Sequence, residues 1–158
     1  MPDVALRPVE DGDLDALFEQ QRDPEAVRMA AFTAQDPSDR SAFDAHMARV
    51  RTAPDITHRA VTFDGEVVGS IASFPIEGQT EITYWIDRAA WGRGIATRAV
   101  ALLLDLVPDR PLYARAASDN TGSLRVLRKA GFTDIGTEIS YATGRNADIE
   151  ETILRLDG

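Results

Sequence analysis

The fold turns on two neighbouring stretches, Glu81-Ile82-Thr83-Tyr84-Trp85-Ile86 and Trp91-Gly92-Arg93-Gly94-Ile95-Ala96-Thr97. The first is dense in β-branched and aromatic residues and reads as a strand. The second is a glycine turn that opens an almost wholly apolar helix reaching Leu106-Val107. Pro108 and Pro111 stop that helix, and Leu112-Tyr113-Ala114-Arg115-Ala116 returns to strand. Two strands bracketing an apolar helix predict a right-handed parallel crossover within one sheet. Because the helix is apolar around most of its circumference, it is expected between the sheet and other elements.

Outward from this unit the chain alternates more simply. Arg59 to Phe63 and Val67 to Phe74 are strand-like, and Asp64-Gly65 between them is a hairpin signal. Val4 to Val9 reads as a short strand, and Asp11 or Asp13 can cap a helix carrying Leu14, Leu17 and Phe18. Pro24 can open a further helical turn, and Phe43, Met47 and Val50 fit a helix over residues 39–53. The polar stretch Thr33 to Asp39 reads as a loop and is expected to carry substrate selection. On the C-terminal side a capped helix spans roughly Asn120 to Ala130, with Gly131-Phe132 as its C-terminal cap. Phe132 to Ile135 and Ile149 to Leu156 are expected as closing strands. The expected fold is α/β: a mixed, mostly antiparallel sheet with one splayed parallel junction, flanked by helices.

Length and composition bound what such a fold can do. The 158 residues fit one domain, 1–158, and no repeat or linker divides them. Cysteine is absent, which excludes disulfides, thiolate nucleophiles and cysteine metal sites within this sequence. His46 and His58 are the only histidines, too few for an imidazole cage, so no metal is expected. The net charge of −9 repels phosphate backbones, so nucleic acid is not expected as a partner. No signal peptide or apolar span is visible, and a cytoplasmic protein without a membrane partner is expected. No nucleophile elbow of the GxSxG kind occurs, so a Ser-His-Asp hydrolase is not indicated.

The glycine turn is the first place where chemistry can sit. It follows a strand and opens a helix, so free backbone N–H groups and the positive helix end converge there. Gly92 and Gly94 let an anion reach the backbone with no Cβ in the way, and Arg93 or Arg98 could add charge. The alternative is a plain strand-to-helix turn that binds nothing. No Gly-Lys-Ser/Thr follows, and a complete GxGxxG is absent, so neither a Walker A loop nor a dinucleotide fingerprint is present. A pyrophosphate-bearing group of another kind fits better.

Trp91 to Thr97 after Tyr84-Trp85-Ile86 resembles the acetyl-CoA motif of the GNAT N-acetyltransferase superfamily. It looks most like the branch of ribosomal-protein N-terminal acetyltransferases. The family pattern has Gln or Arg at its first place, Gly at its fourth and Gly or Ala at its sixth. Trp91, Gly94 and Ala96 stand there in this chain. Asn120-Thr121-Gly122-Ser123-Leu124-Arg125-Val126-Leu127-Arg128-Lys129-Ala130-Gly131-Phe132 resembles the family's following helix.

The resemblance implies acetyl-CoA as cosubstrate, held by Trp91, Gly92, Arg93, Gly94, Ile95, Ala96 and Thr97. Asn120 would meet the pantetheine arm, although Asp119 or Asn120 equally suits a plain helix cap. Many members protonate the departing thiolate with a Tyr of the second helix, where this chain has Leu127. Ser123, one turn after Asn120, takes the place that the ribosomal-type branch uses instead. Glu81 is the candidate base, acting through water, and the oxyanion would meet backbone N–H groups along Tyr84-Trp85-Ile86. The implied reaction is direct acetyl transfer to a primary amine, either a protein N-terminus or a small amine. The chain would act as a monomer or homodimer. The rival reading is a non-catalytic acyl-CoA-binding module of the same fold, kept open by Leu127.

Overall fold

The computed structural model describes residues 3–158, which form one seven-stranded sheet with helices on both faces. The strands are β1 (Val4–Arg7), β2 (Thr57–Phe63), β3 (Glu66–Ile76), β4 (Gln79–Ile86), β5 (Leu112–Ala117), β6 (Thr133–Ala142) and β7 (Ala147–Leu156). The helices are α1 (Leu14–Arg22), α2 (Pro24–Ala30), α3 (Arg40–Thr52), α4 (Ile95–Leu106) and α5 (Thr121–Lys129). Sheet order is β1-β2-β3-β4-β5-β7-β6, antiparallel throughout except where β4 meets β5. The expected α/β class, with its parallel junction, is what the chain adopts.

Local chemistry sets most element ends. Asp64 and Gly65 both take positive φ (52° and 87°), as a tight hairpin between β2 and β3 requires. The Asp23 side chain accepts from Ala26 N–H at 2.9 Å, and Pro24 occupies the first helical place of α2. Asp39 caps α3 in the same way through Ala42 N–H at 3.0 Å. At the end of α5, Gly131 N–H bonds Arg128 O and Phe132 N–H bonds Leu127 O. That pair of bonds satisfies the last carbonyls of the helix.

The sheet divides two cores. Consecutive residues point to opposite faces, so Val61 joins the cluster under α4 and α5 while Ala60 joins Val9, Leu17 and Met47 under α1 and α3. The larger cluster gathers Ile71, Ile82, Leu112 and Leu154 from the sheet, Val100 and Leu103 from α4, and Leu124 and Leu127 from α5.

Three expectations need correction. Asp13 precedes α1 but does not cap it: its carboxylate takes two bonds from Arg7, at 2.7 and 2.8 Å, and one from Glu10 N–H. The nearly buried Asp13 is thereby held below the usual carboxylate range, chiefly by the Arg7 hydrogen bonds. Helix α4 is not enclosed on all sides, since Arg98, Ala101, Asp105 and Leu106 face outward. Its apolar surplus is Leu102 and Leu104, half-buried at its flanks, with Leu106 fully on the outer side. The closing strand expected over 132–135 is longer, because β6 continues to Ala142 and pairs with β7 along its whole length. β6 is an edge strand with nearly every residue exposed, so burial imposes no alternation on its sequence.

Close packing at the β3–β4 pair gives a test of this architecture. A Cβ on Gly69 would overlap the Trp85 carbonyl oxygen, whereas one on Gly136 would meet nothing within 4 Å. Gly69→Ala is therefore expected to cost about 2 kcal/mol or more of unfolding free energy. Gly136→Ala should stay within about 0.5 kcal/mol of the parent in urea titrations. Equal midpoints for the two variants would contradict the described register.

Candidate active site

β4 and β5 pair at only two positions, Thr80 with Leu112 and Glu81 with Tyr113, and then separate. A cleft of about 520 Å³ fills the opening. Its walls come from β4 (Tyr84, Trp85, Ile86), the α4 turn and first helical residues (Trp91, Gly92, Gly94, Ile95, Ala96, Thr97) and α5 (Asn120, Ser123). Every residue nominated from the sequence for cofactor contact lines this cleft except Arg93 and Arg98. The Arg93 guanidinium instead lies 6.0 Å from the centre of the Phe63 ring. It leaves the cleft because Gly92 and Gly94 turn the chain between them (φ 80° and 74°).

The start of α4 is open to an anion. Arg98 N–H is the first to reach a helical carbonyl, that of Gly94 at 3.1 Å. The amides of Ile95, Ala96 and Thr97 thus precede the hydrogen-bonded ladder and face the turn. A Cβ placed on Gly92 or Gly94 would meet nothing within 4 Å, so the space before these amides is clear. Trp91 contributes no spare donor, because its indole N–H is bound to Ile86 O at 2.8 Å. Arg125, exposed on α5, does line the cleft. It lies inside the Asn120–Phe132 segment, five residues after Asn120, and nothing in the sequence separates it from the other basic residues of α5.

Along β4 the backbone divides its donors. Asp87 N–H crosses to Val68 O of β3 at 2.7 Å. Donors alternate sides along a strand, so Trp85 N–H also points to β3 and only Tyr84 and Ile86 aim theirs toward the splay. The expected set of oxyanion donors loses Trp85 on this ground. The Trp85 side chain turns to the opposite face and donates to Gln20 O at 3.1 Å.

Two hydroxyls meet across the cleft. Tyr84 Oη on β4 and Ser123 Oγ on α5 lie 2.7 Å apart. Burial pushes the Tyr84 phenol above its usual pKa. Leu127 is 1% exposed and belongs to the core, so it lines nothing. Asn120 Oδ1 accepts from Ser123 N–H at 3.2 Å, which makes Asn120 the cap of α5. Its side-chain amide nitrogen is left over for a ligand.

Glu81 stands where the strands part, on the same side of β4 as Trp85, and does not line the cleft. Burial raises its pKa above the ordinary 4.5, opposed by Arg115 at 3.9 Å. On that face the cleft is lined by Ala26, Met29 and Ala30 of α2. The Thr33–Asp39 loop, expected to select the substrate, contributes no lining residue. Pro24 marks the start of α2, but Ala26, Met29 and Ala30 form no motif, and of the three only Met29 reads from the sequence as core or pocket lining. His46 is exposed beside Arg49, and His58 is half-buried with its pKa pushed down to about 4, chiefly by desolvation. Both lie away from the cleft walls. Among the described residues no cluster of His, Asp and Glu could hold a metal ion, and no helix is long and apolar enough to cross a membrane.

The sequence profile of the acetyltransferase (GNAT) domain matches residues 3–133. The chain belongs to this family. A curated relative, the probable N-acetyltransferase YjcK of Bacillus subtilis (strain 168), is 36% identical over 77 residues, covering 44% of this chain. The match spans 42% of that relative, well under half its length. Ribosomal-protein-alanine N-acetyltransferase from Brucella melitensis superposes with a TM-score of 0.82 at 21% identity, over 98% of this chain and 99% of that one. Mycobacterium smegmatis RimJ in complex with CoA-disulfide gives 0.80 at 24% identity, over 98% and 82%. At such identities the likeness to these two structures is one of fold.

The cap at Asn120 can be tested apart from any activity. Asn120→Ala should cost about 1 kcal/mol of stability, and Asn120→Asp should retain most of it because the capping oxygen remains. Thermal unfolding of the two variants side by side reads the difference. Equal losses would mean that the side chain does not cap α5.

Proposed function

We propose that this domain is an acetyl-CoA-dependent N-acetyltransferase that moves an acetyl group directly to a primary amine in a ternary complex. The observation that carries the reading is the single cleft joining open amides at the start of α4 to the Ser123 hydroxyl and the splayed edge of β4. The unfilled space before Gly92 and Gly94 fits a pyrophosphate, and the unpaired β4 edge fits an extended amide-bearing arm. When bound, acetyl-CoA supplies an activated acyl group on a thiol whose anion is a tolerable leaving group.

The chain's own residues do the rest. Ile95, Ala96 and Thr97 N–H groups bind the pyrophosphate, helped by the α4 dipole. The side-chain amide of Asn120 meets the pantetheine arm. Tyr84 and Ile86 N–H groups face the acyl carbonyl and stabilise the oxyanion that develops there. Glu81 takes a proton from the incoming amine through a water on the α2 side, and its raised pKa suits it to that task. Ser123 Oγ–H donates to the departing sulfur. The acceptor is a primary amine, at a protein N-terminus or on a small molecule, entering past Met29 and Trp85. The excess of acidic residues favours a cationic acceptor.

Thiol release from acetyl-CoA across a panel of peptides, amino acids and polyamines tests the reading. Saturable acetyl-CoA binding with no turnover on any amine would leave a binding module. Gly94→Glu should abolish acetyl-CoA binding in calorimetry while the domain stays folded, since it sets a charge and a side chain where the pyrophosphate would lie. Parent-like affinity in that folded variant would remove the turn from the site.

Glu81 makes a pH prediction. A base must be deprotonated, so turnover should fall as pH drops through the raised Glu81 pKa. Glu81→Gln should lower turnover at neutral pH on the order of 10²-fold, with part of the loss recovered at alkaline pH where free amine is abundant. A variant whose pH–rate profile overlays the parent would leave Glu81 without a role in proton removal.

A further inference from the structure

We infer that Tyr84 is a positioning residue for Ser123, its phenol donating to Ser123 Oγ so that the serine's own proton is aimed at the acyl-donor sulfur. The inference rests on the reading of Ser123 as the donor to that sulfur. The two oxygens lie 2.7 Å apart, one on β4 and one on α5, and both residues line the cleft. A phenol is a far stronger acid than an aliphatic alcohol, so Tyr84 donates and Ser123 accepts. Ser123 Oγ then keeps one proton and one lone pair for the cleft.

Without this bond the hydroxyl has a competing partner. A helical serine readily turns its proton back to a backbone carbonyl three or four residues earlier. The Tyr84 bond fixes the rotor against that alternative, and a donor that is itself hydrogen-bonded becomes a stronger donor. Leu127 offers no hydroxyl of its own at the next turn of α5.

The proton balance keeps Tyr84 neutral. The N–C bond forms, the C–S bond breaks and its electron pair stays on sulfur. The attacking nitrogen loses one proton to the water at Glu81, and the thiolate, hydrogen-bonded by Ser123, takes one from solvent water. Transfer from Tyr84 would run uphill, because burial holds the phenol above its usual ~10 while an ordinary thiol ionises near ~8.5.

The test is a titration of the thiol of bound CoA, followed by thiolate absorbance, in the parent, Tyr84→Phe, Ser123→Ala and the double variant. The bound thiol should ionise at lower pH than free CoA in the parent. Each single variant should raise that value by about half a pH unit or more, and the double variant should go no further than Ser123→Ala. Fluorotyrosine at position 84, a stronger donor that keeps the packing, should shift it the opposite way. CoA affinity of Tyr84→Phe should stay within about threefold of the parent, with kcat for amine acetylation lowered about 5- to 20-fold. Additive shifts, no shift, or a tenfold loss of CoA affinity in Tyr84→Phe would overturn the inference. A parent that acetylates no amine yet titrates as stated defeats the proposed reaction and leaves the Tyr84–Ser123 relay standing. A parent that turns over, beside a Tyr84→Phe variant that titrates and turns over like it, defeats the relay alone.

Discussion

The early parting of β4 from β5 is the constraint on which the rest of the molecule depends. A parallel pair that stops after two positions leaves backbone donors and acceptors of β4 without a ladder. Leaving such a group buried and unpaired costs about 1–3 kcal/mol, so the parting has to be held open by bonds elsewhere. Three consecutive residues supply them. Tyr84 is tied to α5 through Ser123, Trp85 to α1 through Gln20 O, and Ile86 O receives the Trp91 indole N–H. The other arm is fixed just as firmly, because β5 pairs with β7 at six consecutive positions, Leu112 to Ala117. What opens between the arms is a standing cleft because neither arm can relax to close it.

The same opening decides the electrostatics behind it. Arg115 is the one guanidinium among Glu81, Glu138 and Glu151, and it gives its short contacts to Glu138 at 2.7 Å and Glu151 at 3.1 Å. Glu81 is left with 3.9 Å, enough to moderate its burial but not to cancel it. A carboxylate whose pKa is raised in this way is a stronger base than an exposed one. Its position follows from the fold, since Glu81 is the last β4 residue paired to β5 before the strands diverge.

Much of this was legible in the sequence where a residue type answers a backbone need. Asp64-Gly65 predicts its hairpin, Pro24 and Gly131 their helix ends, and the glycine turn before α4 an open helix start, because each is a local demand met locally. Long-range demands leave weaker marks. The Asp13 carboxylate reads as a helix cap by position, yet Arg7, six residues away, makes the better partner once β1 brings it alongside. β6 beyond Ile135 leaves no mark in the sequence for the opposite reason. An exposed edge strand has no buried face, so nothing in Gly136 to Ala142 needs to alternate.

The site shows the same division, and it also explains what stands where Leu127 leaves a gap. Ser123 and Leu127 are four residues apart and share a face of α5, but that face changes character along its length. At Ser123 it borders the cleft, and one turn later it enters the core, where Leu127 is 1% exposed among Leu103, Leu112 and Leu154. A phenol at position 127 would need a polar outlet from that core. Strand β4 avoids the conflict by placing the phenol of Tyr84 on the opposite wall, where its body packs against the core and its hydroxyl reaches the cleft. The pairing of β4 and α5 through these two hydroxyls is a tertiary fact separated by 39 positions in the chain, so no motif within either segment could announce it.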